Sequence, residues 1–114
     1  MPKAPQPDTV NWPPIPARVQ GLAGRIKVRQ PWRVEPENAE VVGYYHSRDR
    51  LIDVDRRLPR NVKWTILAHE MTHAALDDAG LDLDIVLEER ICDAVASAFA
   101  TALEHYRLFG EAPK

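Results

Sequence analysis

Residues 61 to 80 read Asn-Val-Lys-Trp-Thr-Ile-Leu-Ala-His-Glu-Met-Thr-His-Ala-Ala-Leu-Asp-Asp-Ala-Gly. Apolar residues recur here at the three- and four-residue spacing of a helix, and they supply one face with Ile66, Leu67, Ala74 and Ala75. Asn61 is of a type that caps helix N-termini, and Gly80 is of a type that follows helix C-termini. The stretch therefore predicts an amphipathic helix from about residue 62 to residue 79, with Asn61 as its N-cap.

The middle of this helix carries the pattern His-Glu-x-x-His at residues 69–73. Residues four apart lie on the same side of a helix, so His69 and His73 can both reach one metal ion. Glu70 lies beside them and can take a proton from a zinc-bound water without being a ligand itself. The alternative is a pair of surface histidines flanking an exposed glutamate. The spacing favours one zinc ion held by His69 and His73, with Glu70 as the catalytic residue.

Upstream of the helix, three segments favour strands. Residues 25–29 alternate polar and apolar side chains, as a half-buried strand does. Segments 40–46 and 51–55 are rich in β-forming residues, and the polar residues 47–50 between them are typical of a hairpin turn. With the helices, these segments predict an α+β fold containing at least one antiparallel pair of strands.

Downstream, the sequence predicts a second helix from Ile85 to His105 or Tyr106. The segment is rich in alanine, which has the highest helix propensity. Its apolar spacing is represented by Ile91, Val95, Ala98 and Ala102.

The second helix offers the third metal ligand. Glu89 and Asp93 are four residues apart and share a predicted face with Cys92, Ala96 and Leu103. A carboxylate among apolar neighbours needs a partner, because burying an unpaired charge is unfavourable. We therefore expect Glu89 to bind the metal and Asp93 to accept a hydrogen bond from the far ring nitrogen of His69 or His73.

Other assignments of these residues remain open. Glu88 competes with Glu89 as the third ligand, and Asp93 could bind directly. Glu89 could instead bridge to Arg56 or Arg57. For Cys92, a small buried core residue is the expectation and a soft zinc ligand is the alternative.

Composition limits the class of protein. The 114 residues suit one domain, and the net charge of −2 gives no reason to expect nucleic-acid binding. The single cysteine cannot form a disulfide within the chain. No apolar run reaches the ~18 residues of a membrane span, and the N-terminus does not read as a secretory signal. We therefore expect a cytoplasmic protein that does not bind membranes.

Residues 1–17 form a proline-rich N-terminal arm that holds six of the ten prolines. Proline disfavours helix and central strand, so the arm should be extended. We expect a flexible tail; the alternative is a strap that docks Trp12 onto the domain or covers the active site. We expect residues 18–110 to form one domain that resembles the zincin metallopeptidases.

These motifs resemble the gluzincin class of metallopeptidases. The chain has His69-Glu70-Met71-Thr72-His73 on one helix and then Glu89-Arg90-Ile91-Cys92-Asp93 in the pattern E-x-x-x-D. Its short length resembles the single-domain minigluzincins. The hairpin-like residues 43–54 also resemble those of ImmA/IrrE-type peptidase domains and of small phage-encoded H-E-x-x-H proteins. The likeness covers about residues 40–105.

The resemblance implies a small twisted sheet packed on an active-site helix and a C-terminal glutamate helix. It also implies a peptide or protein substrate, bound in extended form along the edge strand. Glu70 would act as general base and then as general acid. Larger gluzincins stabilise the oxyanion from a further domain for which this chain has no room, so the candidates here are His46, His105, Tyr44, Tyr45 and Tyr106. The alternative function is a zinc-binding regulatory protein that binds a partner and has little proteolytic activity.

Overall fold

A computed structural model describes residues 12–105 of the chain. It contains four strands and two helices in the order β1 (Arg18–Gly21), β2 (Gly24–Arg29), β3 (Gly43–His46), β4 (Leu51–Val54), α1 (Arg60–Asp78) and α2 (Ile85–His105). The predicted α+β class is confirmed. No helix among these residues is long and apolar enough to cross a membrane.

The strands form one mixed sheet in the order β1-β2-β4-β3. β1 pairs with β2, and β3 pairs with β4, in antiparallel fashion, whereas β2 and β4 run parallel. The predicted hairpin is confirmed, with its turn at residues 47–50. The arrangement leaves β3 at one edge of the sheet, beside α1.

β1 was not predicted. Its four residues include one large apolar side chain, Val19, so the segment gives no alternation to recognise. The usable signal lies in the turn. Gly21 and Gly24 flank a two-residue loop, and Gly24 has a φ of +140°, a conformation that favours glycine.

The core lies between one face of the sheet and α1. Alternate strand residues point to this face, including Ile26, Val28, Ile52 and Val54, and they pack against Leu67 of α1. Burying each such side chain contributes about 1.5–3 kcal/mol. This packing fixes which side of α1 faces the sheet, and therefore which side is left to face β3 and α2.

The start of α1 differs from the prediction. The helix begins at Arg60, and its N-cap position is occupied by Pro59, whose φ of −62° and ψ of 157° are extended. Asn61 lies inside the first turn, and the N-terminus has no side-chain cap hydrogen bond. Proline before the first helical residue fixes the entry geometry without a cap. At the other end Gly80 has a φ of +72°, as expected of a residue that follows a helix.

α2 packs against α1 and makes no contact with any strand within residues 12–105. Its buried residues are Cys92, Ala96 and Leu103. These three residues form the stripe predicted beside Glu89 and Asp93, whereas Val95 is 45% exposed. Because no strand of the described chain covers α2, the helix buries a narrow stripe, and much of its apolar surface stays in contact with water.

The described part of the N-terminal arm is docked. Trp12 packs against Trp64 and Leu103, and Ile15 joins the main core. The indole nitrogen of Trp64 donates a hydrogen bond to the carbonyl of Pro13 at 2.7 Å. For residues 12–17 these contacts fit the strap rather than the flexible tail. Residues 1–11 of the arm and residues 106–110 of the predicted domain lie outside the described part of the chain.

Candidate metal centre

His69 and His73 lie one turn apart on the face of α1 that is turned towards α2. Their ring centroids are 4.9 Å apart, and the rings meet edge to face. Both side chains are largely buried, with exposed fractions of 16% and 14%. The helix therefore brings the two imidazoles together as the spacing predicts.

Glu89 of α2 lies between the two rings. One carboxylate oxygen is 3.1 Å from Nε2 of His69, and the other is 2.8 Å from Nε2 of His73. Of the two adjacent glutamates, Glu89 is the one that faces both Nε2 atoms.

The opposite nitrogen of each ring also has a carboxylate partner. Asp93 Oδ1 is 3.0 Å from Nδ1 of His69, in the position expected for it. Glu88 Oε2 is 2.5 Å from Nδ1 of His73. This contact of Glu88 was not predicted, because that residue was considered only as a competing ligand. The adjacent pair Glu88-Glu89, opposite two histidines, was the available signal: successive helix residues point about 100° apart and can hold two sides of one ring.

The prediction that Glu89 is buried is wrong. The side chain is 48% exposed, and that of Asp93 is 73% exposed. Asp93 is about 100° round the helix from the buried Cys92, which places it at the margin of the buried stripe and not on it. The contact with the histidines therefore follows from the position of Glu89 at the mouth of a cleft. The alternative partner Arg57 is bonded to Asp55 instead.

Cys92 lies beneath this cluster and is fully buried. Two sets of donor atoms fall within 4.8 Å of one another: His69 with His73 and Cys92, and His69 with Glu89 and Asp93. The described residues therefore include groups that could hold a metal ion. Burial, reinforced by the neighbouring carboxylates, raises the pKa of the Cys92 thiol to about 12. A metal ion deprotonates a thiol that it binds, so the choice between Cys92 and Glu89 rests on the position of Glu89, which faces the Nε2 atoms of both histidines.

Glu70 is buried between α1 and β3, and only 7% of the residue is exposed. One of its oxygens lies 4.0 Å from Nε2 of His69. Burial raises the pKa of Glu70 above its usual value, although the two histidines and a hydrogen bond from the backbone of Tyr45 act in the opposite direction. A carboxylate with a raised pKa next to a candidate metal centre is suited to accepting and returning a proton.

A glycine allows β3 to come this close to α1. A Cβ atom on Gly43 would overlap Cγ2 of Ile66 and lie 3.2 Å from a carboxylate oxygen of Glu70. Any side chain at this position would push β3 or Ile66 away. Gly43 therefore belongs to the site, although its sequence gave no sign of this role.

The pKa of His73 differs from the ordinary value of a histidine. Burial alone would lower the pKa of His73, but the hydrogen bond to Glu88 and the charges of Glu70 and Glu89 outweigh it, and the pKa is raised. Protonation of the His73 ring in the metal-free protein therefore competes with binding of a metal ion.

The cluster opens into a cleft of about 580 Å³ between the edge strand β3 and the two helices. Residues 40–45 form one wall, and Ile66, His69, Glu70, His73 and Asp77 of α1 form another. None of residues 12–17 lines it, so the described part of the strap does not cover the centre.

The candidates for oxyanion stabilisation are placed differently. Tyr44 lines the cleft and is 54% exposed, whereas Tyr45 lines it but has a buried hydroxyl. His46 is held by Asp53 at 2.9 Å and does not line the cleft, and neither does His105 at the end of α2. Tyr106 lies outside the described residues. Tyr44 is therefore the candidate with a side chain accessible at the cleft.

Comparisons of this chain with protein families, with curated proteins and with solved structures found no significant match.

Proposed function

We propose that this protein is a zinc-dependent peptidase of the gluzincin type. The observation that supports this most directly is the position of Glu89, whose two oxygens face the Nε2 atoms of His69 and His73, next to the buried carboxylate of Glu70. A general base beside three candidate ligands is the arrangement that peptide hydrolysis requires.

The donor set fits zinc. Two imidazole nitrogens and one carboxylate oxygen are the ligands of many catalytic zinc sites, which leave the fourth position for water or substrate. Asp93 and Glu88, each at a far ring nitrogen, would fix the tautomers so that both Nε2 atoms carry the lone pair. A zinc ion held there would lower the pKa of a water molecule and polarise a peptide carbonyl.

The protein's own chemistry would then rest on Glu70. Its carboxylate would accept a proton from the attacking water and deliver it to the nitrogen of the leaving amine. The raised pKa of Glu70 favours the first transfer, because a more basic carboxylate takes the proton of the water more readily.

The edge strand offers a binding surface for an extended substrate. Asp55 N donates to the carbonyl of Val42 at 2.9 Å, and bonded and non-bonded pairs alternate along an antiparallel ladder. In this register the main-chain groups of Gly43 and Tyr45 face away from β4, and Tyr45 contributes a hydrogen bond to Glu70. A peptide added beside β3 would pass over the metal centre.

Glu70 also distinguishes this function from the alternative, a zinc protein that only binds a partner. Burying a carboxylate is unfavourable. A structural zinc site has no need of a general base, so a buried Glu70 beside the centre favours an enzyme. A structural zinc is also usually enclosed by four protein ligands.

The test combines metal content with peptide cleavage. We expect about one zinc per chain by elemental analysis. Glu70→Gln should keep the zinc and lower kcat on an unstructured peptide mixture by about 10²–10⁴-fold, the usual contribution of a general base. The matched control is Glu104→Gln on the exposed surface of α2, which should cleave like the parent. Equal cleavage by Glu70→Gln and the parent would remove Glu70 as the base, and a chain that takes up no zinc would end the proposal.

A further inference from the structure

Six carboxyl side chains and two histidines provide the ionisable groups along the cleft, apart from its tyrosines. Its lining contains no lysine or arginine, and its carboxylates are Glu40, Glu70, Asp77, Glu88, Glu89 and Asp93. Four of these belong to the metal centre proposed above. The remaining two, Glu40 and Asp77, have no part in that centre.

Positive charge is used elsewhere in the molecule. Asp53, Asp55 and Asp78 lie outside the cleft lining, and each is paired with an arginine. By contrast, neither Glu40 nor Asp77 makes a side-chain hydrogen bond or ion pair with any residue from 12 to 105. These two carboxylates are thus available to a ligand.

Glu40 and Asp77 lie towards opposite ends of the cleft. Glu40 precedes β3, on the side where Gly43 meets Ile66, and Asp77 is one turn beyond His73 on α1. From Ile66 to Asp77 the helix rises about 16 Å at 1.5 Å per residue. An extended peptide covers this distance with about five residues, at 3.3 Å per residue. Asp77 lies about 6 Å along α1 from His73, within about two or three substrate residues of the metal centre. Glu40 lines the same cleft three residues before Gly43.

A bound metal would not reverse the charge of the cleft. A divalent ion brings two positive charges to a cleft lined by six carboxyl groups, and a concave surface concentrates the field that remains. Such a cleft attracts cationic segments and repels acidic peptides and nucleic acids.

Resting on the proposed function, we infer that the substrate is an extended peptide carrying lysine or arginine within about three residues of the cleaved bond. Glu40 and Asp77 are the specificity-determining residues: each places a carboxylate where a basic side chain on one side of the bond would reach it. Neither residue takes part in the chemical step.

The experiment measures binding and cleavage separately. The probes are three fluorescent decapeptides of one sequence that differ at two positions, where they carry lysine, glutamine or glutamate. Dissociation constants are measured by anisotropy on zinc-loaded Glu70→Gln protein, and kcat/KM on the zinc-loaded parent. We expect the lysine peptide to bind at least about tenfold more tightly than the glutamine peptide at low salt, and the difference to shrink as salt rises.

Variants assign the effect to residues. Asp77→Asn and Glu40→Gln should each weaken binding of the lysine peptide by about twofold to fivefold and leave binding of the glutamine peptide unchanged. Glu104→Gln removes an exposed carboxylate outside the cleft and should change neither.

The outcomes separate the two proposals. Binding of the lysine peptide that depends on Asp77 or Glu40, but without cleavage, supports the assignment of these two residues to a basic peptide ligand and overturns its cleavage. Cleavage that ignores peptide charge supports the peptidase and overturns the inference. Failure to bind or to cleave any of the three peptides overturns both proposals. A preference for the lysine peptide that survives in the double variant Asp77→Asn/Glu40→Gln overturns the inference alone.

Discussion

The two imidazoles on α1 each use both ring nitrogens. Nε2 of His69 and of His73 faces Glu89, and the Nδ1 atoms face Asp93 and Glu88. A ring held on both sides cannot turn, so a metal would meet donors that are already oriented. This arrangement assigns different effects to three neighbouring carboxylates on one helix.

Zinc affinity should therefore fall unequally when these carboxylates are removed. We expect Glu89→Ala to weaken binding most, because it removes a donor atom. Glu88→Ala and Asp93→Ala should each cost about 10–100-fold, the usual effect of removing the hydrogen-bond partner of a ligand. Competition with a chromophoric chelator measures all three. A greater loss in Glu88→Ala would move the third ligand to Glu88.

Cys92 provides the control for the other donor set. Cys92→Ser should keep most of the zinc affinity if Glu89 is the ligand. Replacement of zinc by cobalt gives an independent readout, because a cobalt–thiolate bond adds a charge-transfer absorption band. We expect that band to be absent, and its presence would assign the site to His69, His73 and Cys92.

Gly43 is the residue where space decides the outcome. Gly43→Ala places a methyl group against Cγ2 of Ile66, and overpacking of this kind destabilises by about 1–3 kcal/mol. Activity should fall as well, because Glu70 is the next neighbour. Urea unfolding measures the first effect. Combining Gly43→Ala with Ile66→Ala should cost less than the two separate losses together; full additivity would mean that the contact with Ile66 is not the cause.

At the scale of elements, the periodicity of the sequence predicted those helices and strands whose formation depends on local pattern. α1 and the β3–β4 hairpin follow from local patterns, and so do the histidines at 69 and 73. The parallel pairing of β2 with β4 could not be predicted, because it joins strands separated by another strand and nothing local encodes it. The helix start was misassigned because Pro59 fixes the backbone where a side-chain cap was expected.

The candidate site divides in the same way. The residues of one helix could be placed from spacing alone, as Glu70 and the two histidines were. Positions that depend on how two elements meet could not: Gly43 is required by the approach of β3 to α1, and Glu88 reaches His73 because of how α2 is rotated. Glu89 was chosen for an expected burial that the structure does not have, although its position towards the histidines agrees with the expectation.

A metal held by His69, His73 and Glu89 would add a link between α1 and α2. α2 contacts α1 and no strand among the described residues, and the ligands come from both helices. We expect zinc to raise the unfolding temperature and to slow amide exchange in α2 more than in the sheet. A thousandfold excess of zinc over Kd stabilises by about 4 kcal/mol. Hydrogen exchange with and without a chelator makes the comparison, and uniform protection throughout the chain would contradict it.

At the scale of the whole molecule, one arginine–aspartate pair joins the sheet to α1. Arg50, in the β3–β4 turn, donates to both oxygens of Asp78 at the end of α1, at 2.7 and 3.1 Å. Asp78 also accepts from the backbone of Ala23, in the β1–β2 turn. One carboxylate thus ties two turns and a helix end together.

This clamp gives stability a defined dependence on pH. The hydrogen bond from Arg50 lowers the pKa of Asp78 below its usual 3.8, so the stabilisation is complete above that value and is lost as pH falls through the lower pKa of the folded state. Asp78→Asn should therefore lower the urea midpoint at pH 7. The gap between variant and parent should close below pH 3.8. Measurements in a chelator keep the histidines out of the comparison, and a gap independent of pH would mean that charge is not responsible.

The position of β3 at the sheet edge has a consequence for behaviour at high concentration. Main-chain groups that can accept a peptide can equally accept the same strand of another molecule, and this is how exposed edges begin to aggregate. β3 has only four residues, and the carboxylates around it would face those of the second molecule. Mutual repulsion then keeps the edge free. Salt screens that repulsion, so the protein should remain dispersed in dilute buffer and begin to self-associate as ionic strength rises.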